Sequence, residues 1–243
     1  MRLALSSDHA GFELKRDLAA SLGQKGHMVL DLGTHSLAPV DYPDAAESVA
    51  QALRNGDADR GIIVCGSGAG VSIAANKFPG IRAAVCHDTY TAHQAVEHDD
   101  MNVLCIGARI IGSALACEIV DLGTNSSAPV DYPDSAETVA TCLAARDADR
   151  GIIVCGSGAG VSIAANKFPG IRASVCHDTY TAHQAVEHDD MNVLCIGAMV
   201  IGSALAQEIA EAFLRATFSG EDRHQRRLNK VLAIESRFAG AHR

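Results

Sequence analysis

The sequence predicts an α/β protein of three layers, α/β/α, with a five-stranded parallel Rossmann-like sheet, followed by a second, incomplete copy of the same unit lacking its first strand. Three observations carry this. Short apolar runs alternate with helically spaced ones from the N-terminus onward, the pattern of βαβ units. A glycine-rich loop, Cys65-Gly66-Ser67-Gly68-Ala69-Gly70, joins one such strand to the helix after it. Residues 31–120 align with residues 121–210 without a gap and differ at 14 of 90 positions.

In chain order, Arg2 to Ser6 is a short apolar strand, and Gly11 to Leu22 is a helix because Phe12, Leu14, Leu18 and Leu22 share one face. Met28 to Leu32 is the second strand. Pro43 sits at a helix start after Asp41-Tyr42, where its missing N–H costs nothing, and Ala46, Val49, Ala50 and Leu53 form the buried face. Gly61 to Cys65 is the third strand, and its helix runs from Ala69 to Lys77 until Phe78-Pro79-Gly80 stops it. Ile81 to Cys86, a polar helix from about Thr89 to Glu97, Val103 to Ile106 and a helix from about Gly112 complete the copy. Such alternation makes right-handed crossovers and a parallel sheet covered on both faces, with ligands at the carboxyl ends of its strands. Asp8-His9, Cys65 with its glycines and the residues after Cys86 all lie at such ends.

Taking 90 from 243 leaves 153 residues, the size of one α/β domain. The chain therefore reads as one domain with most of itself repeated. Residues 1–120 form a unit without its C-terminal helix, and residues 121–243 a unit without strand one and helix one but with a basic C-terminal helix. At the join, Ala116 to Val120 should be helical by analogy with Ala206 to Ala210, yet Ile119-Val120-Asp121-Leu122-Gly123 matches the strand Val29-Leu30-Asp31-Leu32-Gly33. The same residues cannot be both, so an irregular joint is expected near 118–123.

Composition narrows the function classes. No apolar run approaches the roughly 18 residues of a membrane span, and the apolar part of the N-terminus is too short for a signal peptide. A cytoplasmic protein with no membrane partner is expected. A net charge of −9 argues against general nucleic-acid binding. Six of the eight cysteines fall in repeat-related pairs inside apolar runs (Cys65/Cys155, Cys86/Cys176, Cys105/Cys195) and none forms C-x-x-C, which suits reduced, buried thiols better than disulfides or a zinc site.

Cys65 stands apart because free backbone N–H groups and the positive end of a helix follow it, an environment expected to lower its pKa toward thiolate and to cradle an oxyanion. The loop is not a dinucleotide fingerprint, which would need glycine at Val71, nor a P-loop, which would need Gly-Lys-Ser/Thr, nor a nucleophile elbow, which would need glycine at Cys65 itself. A tight turn with close helix packing is the plainer reading. His87, His93 and His98, copied at His177, His183 and His188, lack the spacing of a metal pair, and His98, before strand five, is the best placed for acid-base work. In the tail Arg223 and Arg227 lie i, i+4, as a phosphate clamp requires and as a solvated basic helix also allows.

Ser7-Asp8-His9-Ala10-Gly11, Asp41-Tyr42-Pro43, the run Cys65 to Lys77, Gly80-Ile81-Arg82-Ala83, Asn102-Val103-Leu104 and Arg223-His224-Gln225-Arg226-Arg227 together resemble the ribose-5-phosphate isomerase B family, which includes galactose-6-phosphate and allose-6-phosphate isomerases. The resemblance implies a sheet of order 2-1-3-5-4, active sites built from two subunits, and aldose-ketose isomerisation of a phosphorylated sugar through an enediolate, with no cofactor and no metal. It implies that Cys65 is the base, that the amides of Gly66 to Gly70, Gly68 included, hold the enediolate oxygens, and that Ser67 helps move the proton between them. Asp8 and His98 would open the sugar ring, Tyr42 and Asp99 would line the pocket, and His9, Arg109, Arg223 and Arg227 would hold the phosphate. A homodimer or an intrachain pseudo-dimer would follow.

Met199 replaces the second copy of Arg109, and Asp99 and Asp189 stand where the family more often has asparagine. Copy 2 has no Asp8-His9 segment, so its equivalents Cys155, Ser157, Tyr132 and His188 are expected to form an incomplete site. Ribose 5-phosphate isomerisation at Cys65 is the reading; the alternatives are an isomerase of a 6-phosphate hexose and an inactive duplicate that binds sugar phosphate or serves as an assembly subunit.

Overall fold

The computed structural model describes residues 1–112 and 132–238. In the first repeat β1 (Arg2–Ser7), β2 (Met28–Asp31), β3 (Arg60–Cys65), β4 (Ala83–Val85) and β5 (Val103–Gly107) form a parallel sheet in the order β2-β1-β3-β5-β4. The helices α1 (Phe12–Gln24), α2 (Tyr42–Arg54), α3 (Ala69–Ala75) and α4 (Thr89–Asp99) alternate with these strands. Side chains divide between the faces with the strand period of two. Leu3, Leu5, Ile62 and Val64 pack in one cluster with Leu14, Leu18 and Leu22 of α1, while Ala4, Ile63 and Cys65 belong to the cluster of α2 and α3. Cys65 thus ends a buried strand on the α2 side.

The second repeat contributes α5 (Tyr132–Ala145), β6 (Gly151–Cys155), α6 (Ala159–Ala165), β7 (Ala173–Val175), α7 (Thr179–Asp189), β8 (Val193–Gly197) and α8 (Ser203–Arg215), followed by the tail helix α9 (Asp222–Phe238). Its strands make a separate parallel sheet, β6-β8-β7, the counterpart of β3-β5-β4. The segment that forms β1 and α1 occurs once in the chain, and it pairs with β3. Coverage on both faces is therefore found at β3 and not at β6: Val64 is 0% exposed but Val154 58%. The joint expected near 118–123, with the copy-1 helix expected after Gly112, lies outside the described residues.

The repeats pack helix to helix, α3 against α7 and α4 against α6, and one apolar core runs through both. Two matched lysines cross the join. Lys77 Nζ donates to Ile171 O at 2.6 Å and to Glu235 at 2.5 Å, while Lys167 Nζ donates to Asn76 O at 3.2 Å and to Ile81 O. The tail follows repeat 2 in sequence but docks on α2 of repeat 1. Leu228, Val231 and Ile234 form its buried face, with Arg226 to Asp41 at 2.7 Å, Lys230 to Asp44 at 2.6 Å and Arg237 to Glu47 at 2.8 Å around it. Exposed pairs of this kind contribute little on their own, so the apolar stripe holds the helix and the charges select its register. Among the described residues no helix is long and apolar enough to cross a membrane.

Candidate active site

Cys65 closes β3, and the chain turns at once because Gly68 takes a left-handed conformation, φ +84°, that an L side chain rarely adopts. The turn brings Gly68 N to 3.1 Å from Cys65 Sγ and Ala69 N to 3.3 Å from Ser67 Oγ. Gly70 is required for a different reason: a Cβ there would lie 2.9 Å from the Tyr42 ring and 3.0 Å from Asp189 Oδ1. Asp8 follows β1, its Oδ1 accepting from Ala10 N at 2.9 Å and Gly11 N at 3.1 Å. Its neighbour His9 places Nδ1 3.3 Å from both the N–H and the carbonyl of Val40.

The rest of the wall comes from elsewhere in the chain. The last turns of α7 bring Gln184, His188 and Asp189, and α9 brings Arg223, His224 and Arg227, with Arg227 over the Tyr42 ring at 5.8 Å. Together with Asp8, His9, Tyr42, Cys65, Gly66, Ser67, Gly70 and Arg109 they line one solvent-open cleft. His98 and Asp99 do not reach it. Because α4 packs on repeat 2 and α7 on repeat 1, the two helices exchange partners, and Asp99, next to His98, sits against Gly160 of the other glycine loop. His188 and Asp189, their copies, take the place by Cys65.

The electrostatics overturn one expectation. The Cys65 thiol is pushed up, not down, by burial first and then by the nearby carboxyls of Asp8 and Asp189; the amides of Gly68 and Val71 oppose this and lose. Asp189, fully enclosed, is itself pushed up to about 7 by burial, against a hydrogen bond from Tyr42 and the charge of Arg227. Asp8 is raised for the same reason, against the pull of His9. His188 is lowered to about 4 by burial, with His224, Arg223 and Arg227 adding to it and Glu187 opposing, so its imidazole is neutral near pH 7.

These shifts set an expected result for Asp189→Asn. Above pH 7 the wild-type carboxyl is ionised and holds the thiol up; below pH 6 it is neutral and does not. The variant should therefore react with iodoacetamide at Cys65 about three- to tenfold faster above pH 8 and at the wild-type rate below pH 6, read by mass spectrometry of the Cys65 peptide. An equal or slower rate at pH 8 would contradict it.

The second loop repeats the local geometry, with Gly158 N 3.1 Å from Cys155 Sγ and Ala159 N 3.2 Å from Ser157 Oγ. Tyr132 and Asp99 flank Gly160 as Tyr42 and Asp189 flank Gly70, and Asp99 is pushed up to about 6 by burial. The surroundings differ. Met199, largely exposed, stands in place of Arg109, and among the described residues no Asp-His segment or tail arginine joins Cys155. His87, left open by its sequence, has a structural role, its Nε2 accepting from Gly107 N at 2.9 Å.

Gln184 and His224 line the cleft although sequence reasoning did not single them out. His224 lay inside the tail motif and carried a signal; Gln184 is duplicated at Gln94 and carried none.

The sequence profile of a family described as Ribose/Galactose Isomerase matches residues 3–122 and again residues 116–231. Ribose-5-phosphate isomerase B of Escherichia coli (strain K12) is 48% identical over 120 residues, covering 49% of this chain and 80% of that protein. D-erythrulose-4-phosphate isomerase of Pectobacterium atrosepticum is 43% identical over 124 residues, covering 49% of this chain and 80% of that one. The structure of a Clostridium thermocellum ribose-5-phosphate isomerase B covers 98% of this chain and 99% of its own at 29% identity, with a TM-score of 0.47.

Proposed function

We propose that this chain, a sugar-phosphate isomerase belonging to the Ribose/Galactose Isomerase family, interconverts ribose 5-phosphate and ribulose 5-phosphate at one site per chain. The observation that carries this reading is one cleft holding a thiol, a row of amides, Asp8, His188 and three arginines. Units 1–120 and 121–243 act as an intrachain pseudo-dimer, each lending parts to that cleft.

Arg109, Arg223 and Arg227, with His9, hold the phosphate by forked, charge-assisted hydrogen bonds. Ring opening uses His188, whose pKa burial lowers, and Asp8, whose pKa burial raises. Neutral His188 takes the proton of the anomeric hydroxyl, the bond from C1 to the ring oxygen breaks, and Asp8 in its acid form, which burial favours, gives its proton to that oxygen. Loss of a proton from the Cys65 thiol to Asp8 or Asp189 then leaves thiolate. The thiolate takes the proton from C2, the electron pair moves onto O1, and the amides of Gly66 to Gly70 stabilise the enediolate. Ser67 passes a proton from O2 to O1 and Cys65 returns its proton to C1, so the ketose forms with no change in overall composition.

The purified chain is expected to form ketose from ribose 5-phosphate and, in deuterated water, to place deuterium at C1 of the product, because a thiol proton exchanges with solvent. A folded chain that makes no ketose from this sugar would refute the reading. A four-carbon sugar 4-phosphate is the second reading, favoured by the 43% identity to the Pectobacterium isomerase; it predicts a higher kcat/KM on erythrose 4-phosphate.

A further inference from the structure

His188 belongs to α7 of repeat 2, yet the sugar it must reach is held largely by repeat 1 and the tail. Its imidazole lies on that of His224, ring centroids 4.1 Å apart and 30° between planes. His224 is 1% exposed, and its Nδ1 lies 2.6 Å from Ser219 Oγ. Ser219 in turn donates its N–H to Glu187 O at 3.0 Å, beside His188 in sequence. The segment before α9 is thus tied to the end of α7 by a ring stack and by a backbone hydrogen bond. From there α9 is fixed to α2 through Asp41, Asp44 and Glu47, and to buried Lys77 through Glu235. His98, the twin of His188, has nothing of this kind: its side chain is 38% exposed, its ion contact is Glu97 at 3.9 Å, and no ring stacks on it among the described residues.

An imidazole on the last turn of a helix has rotamer freedom, and proton transfer tolerates little misplacement. A stacked partner buried on one side and hydrogen-bonded on the other removes that freedom. We propose that His224 is the positioning residue for His188, and that through it the tail helix makes the Cys65 site competent to open cyclic sugar phosphates. The proposal rests on the isomerase reading above, in which His188 serves ring opening only. His224 needs no contact with the reacting atoms for this role.

The test compares a sugar phosphate that closes a furanose ring, ribose 5-phosphate, with one that cannot because its O4 is esterified, erythrose 4-phosphate. His224→Ala is expected to lower kcat/KM on ribose 5-phosphate about 10- to 100-fold more than it lowers it on erythrose 4-phosphate. His224→Phe keeps the stack and should recover most of the loss, which also guards against a variant that merely loosens the tail. NMR titration of His188 in the full chain supplies a readout independent of turnover. The groups facing that ring are Glu187, Arg223, Arg227 and His224, and removal of the last should open it to water, so its midpoint should rise toward the ordinary histidine value. Equal losses on both sugars, or an unchanged His188 titration, would overturn the proposal. Wild-type chain that turned over neither sugar would instead refute the isomerase reading, and the titration would still decide whether His224 positions His188.

Discussion

Cys65→Ala is expected to cut turnover of ribose 5-phosphate by about 10³-fold, near the middle of what a positioned base contributes, while Cys155→Ala leaves it within about twofold. The two thiols end identical strands and start identical loops, and each accepts an amide hydrogen bond of 3.1 Å. Nothing local separates them. What separates them is the company each keeps: Asp8, His9, Arg109, Arg223 and Arg227 line the cleft at Cys65, whereas Met199 stands where an arginine would be needed at Cys155. A base without a phosphate anchor meets its substrate too briefly to act on it. The measurement is ketose formation by each variant at equal concentration, with circular dichroism to show both folded. Comparable losses in the two variants would mean two working sites and would undo the one-site reading.

His188→Ala should lower turnover of the same substrate about 10²-fold, and His98→Ala should leave it nearly unchanged. This inverts what the linear order of residues suggests, since His98 shares a repeat with Cys65 and His188 does not. The inversion follows from packing: α7 lies on α3 and delivers His188 to the Cys65 cleft, while α4 lies on α6 and carries Asp99, next to His98, to the other loop. The pH profile adds a second check. With its pKa lowered to about 4 by burial and three neighbours, His188 is already an acceptor at neutral pH, so activity should not fall between pH 8 and 6 through its protonation. A large loss in His98→Ala with none in His188→Ala would show the two helices placed the other way round.

The fold was readable because its signals are local. Alternating apolar strands, Pro43 at the head of α2 and the stop at Phe78-Pro79-Gly80 each report on a few neighbouring residues, and the structure places the elements within a residue or two of those signals. The glycine loop was readable for the same reason: Gly68 needs a left-handed backbone, and Gly70 needs the space that a side chain would take from Tyr42 and Asp189. Residue chemistry marked the parts of the site, down to the arginines four apart in the tail.

The assembly of those parts lay beyond any local signal. Residues 61–83 and 151–173 are the same letters in the same order, so no property of the loop tells Cys65 from Cys155. The difference comes from two segments present once each: the strand and helix at the N-terminus pack on repeat 1, and the tail helix packs across α2 of repeat 1 and α7 of repeat 2, over the Cys65 cleft. The same holds for the thiol's protonation. A helix N-terminus in the sequence argues for thiolate, but α3 is seven residues long, and burial beside Asp8 and Asp189 outweighs its amides. Desolvation and charge act through space, and which groups come near in space is a property of packing alone.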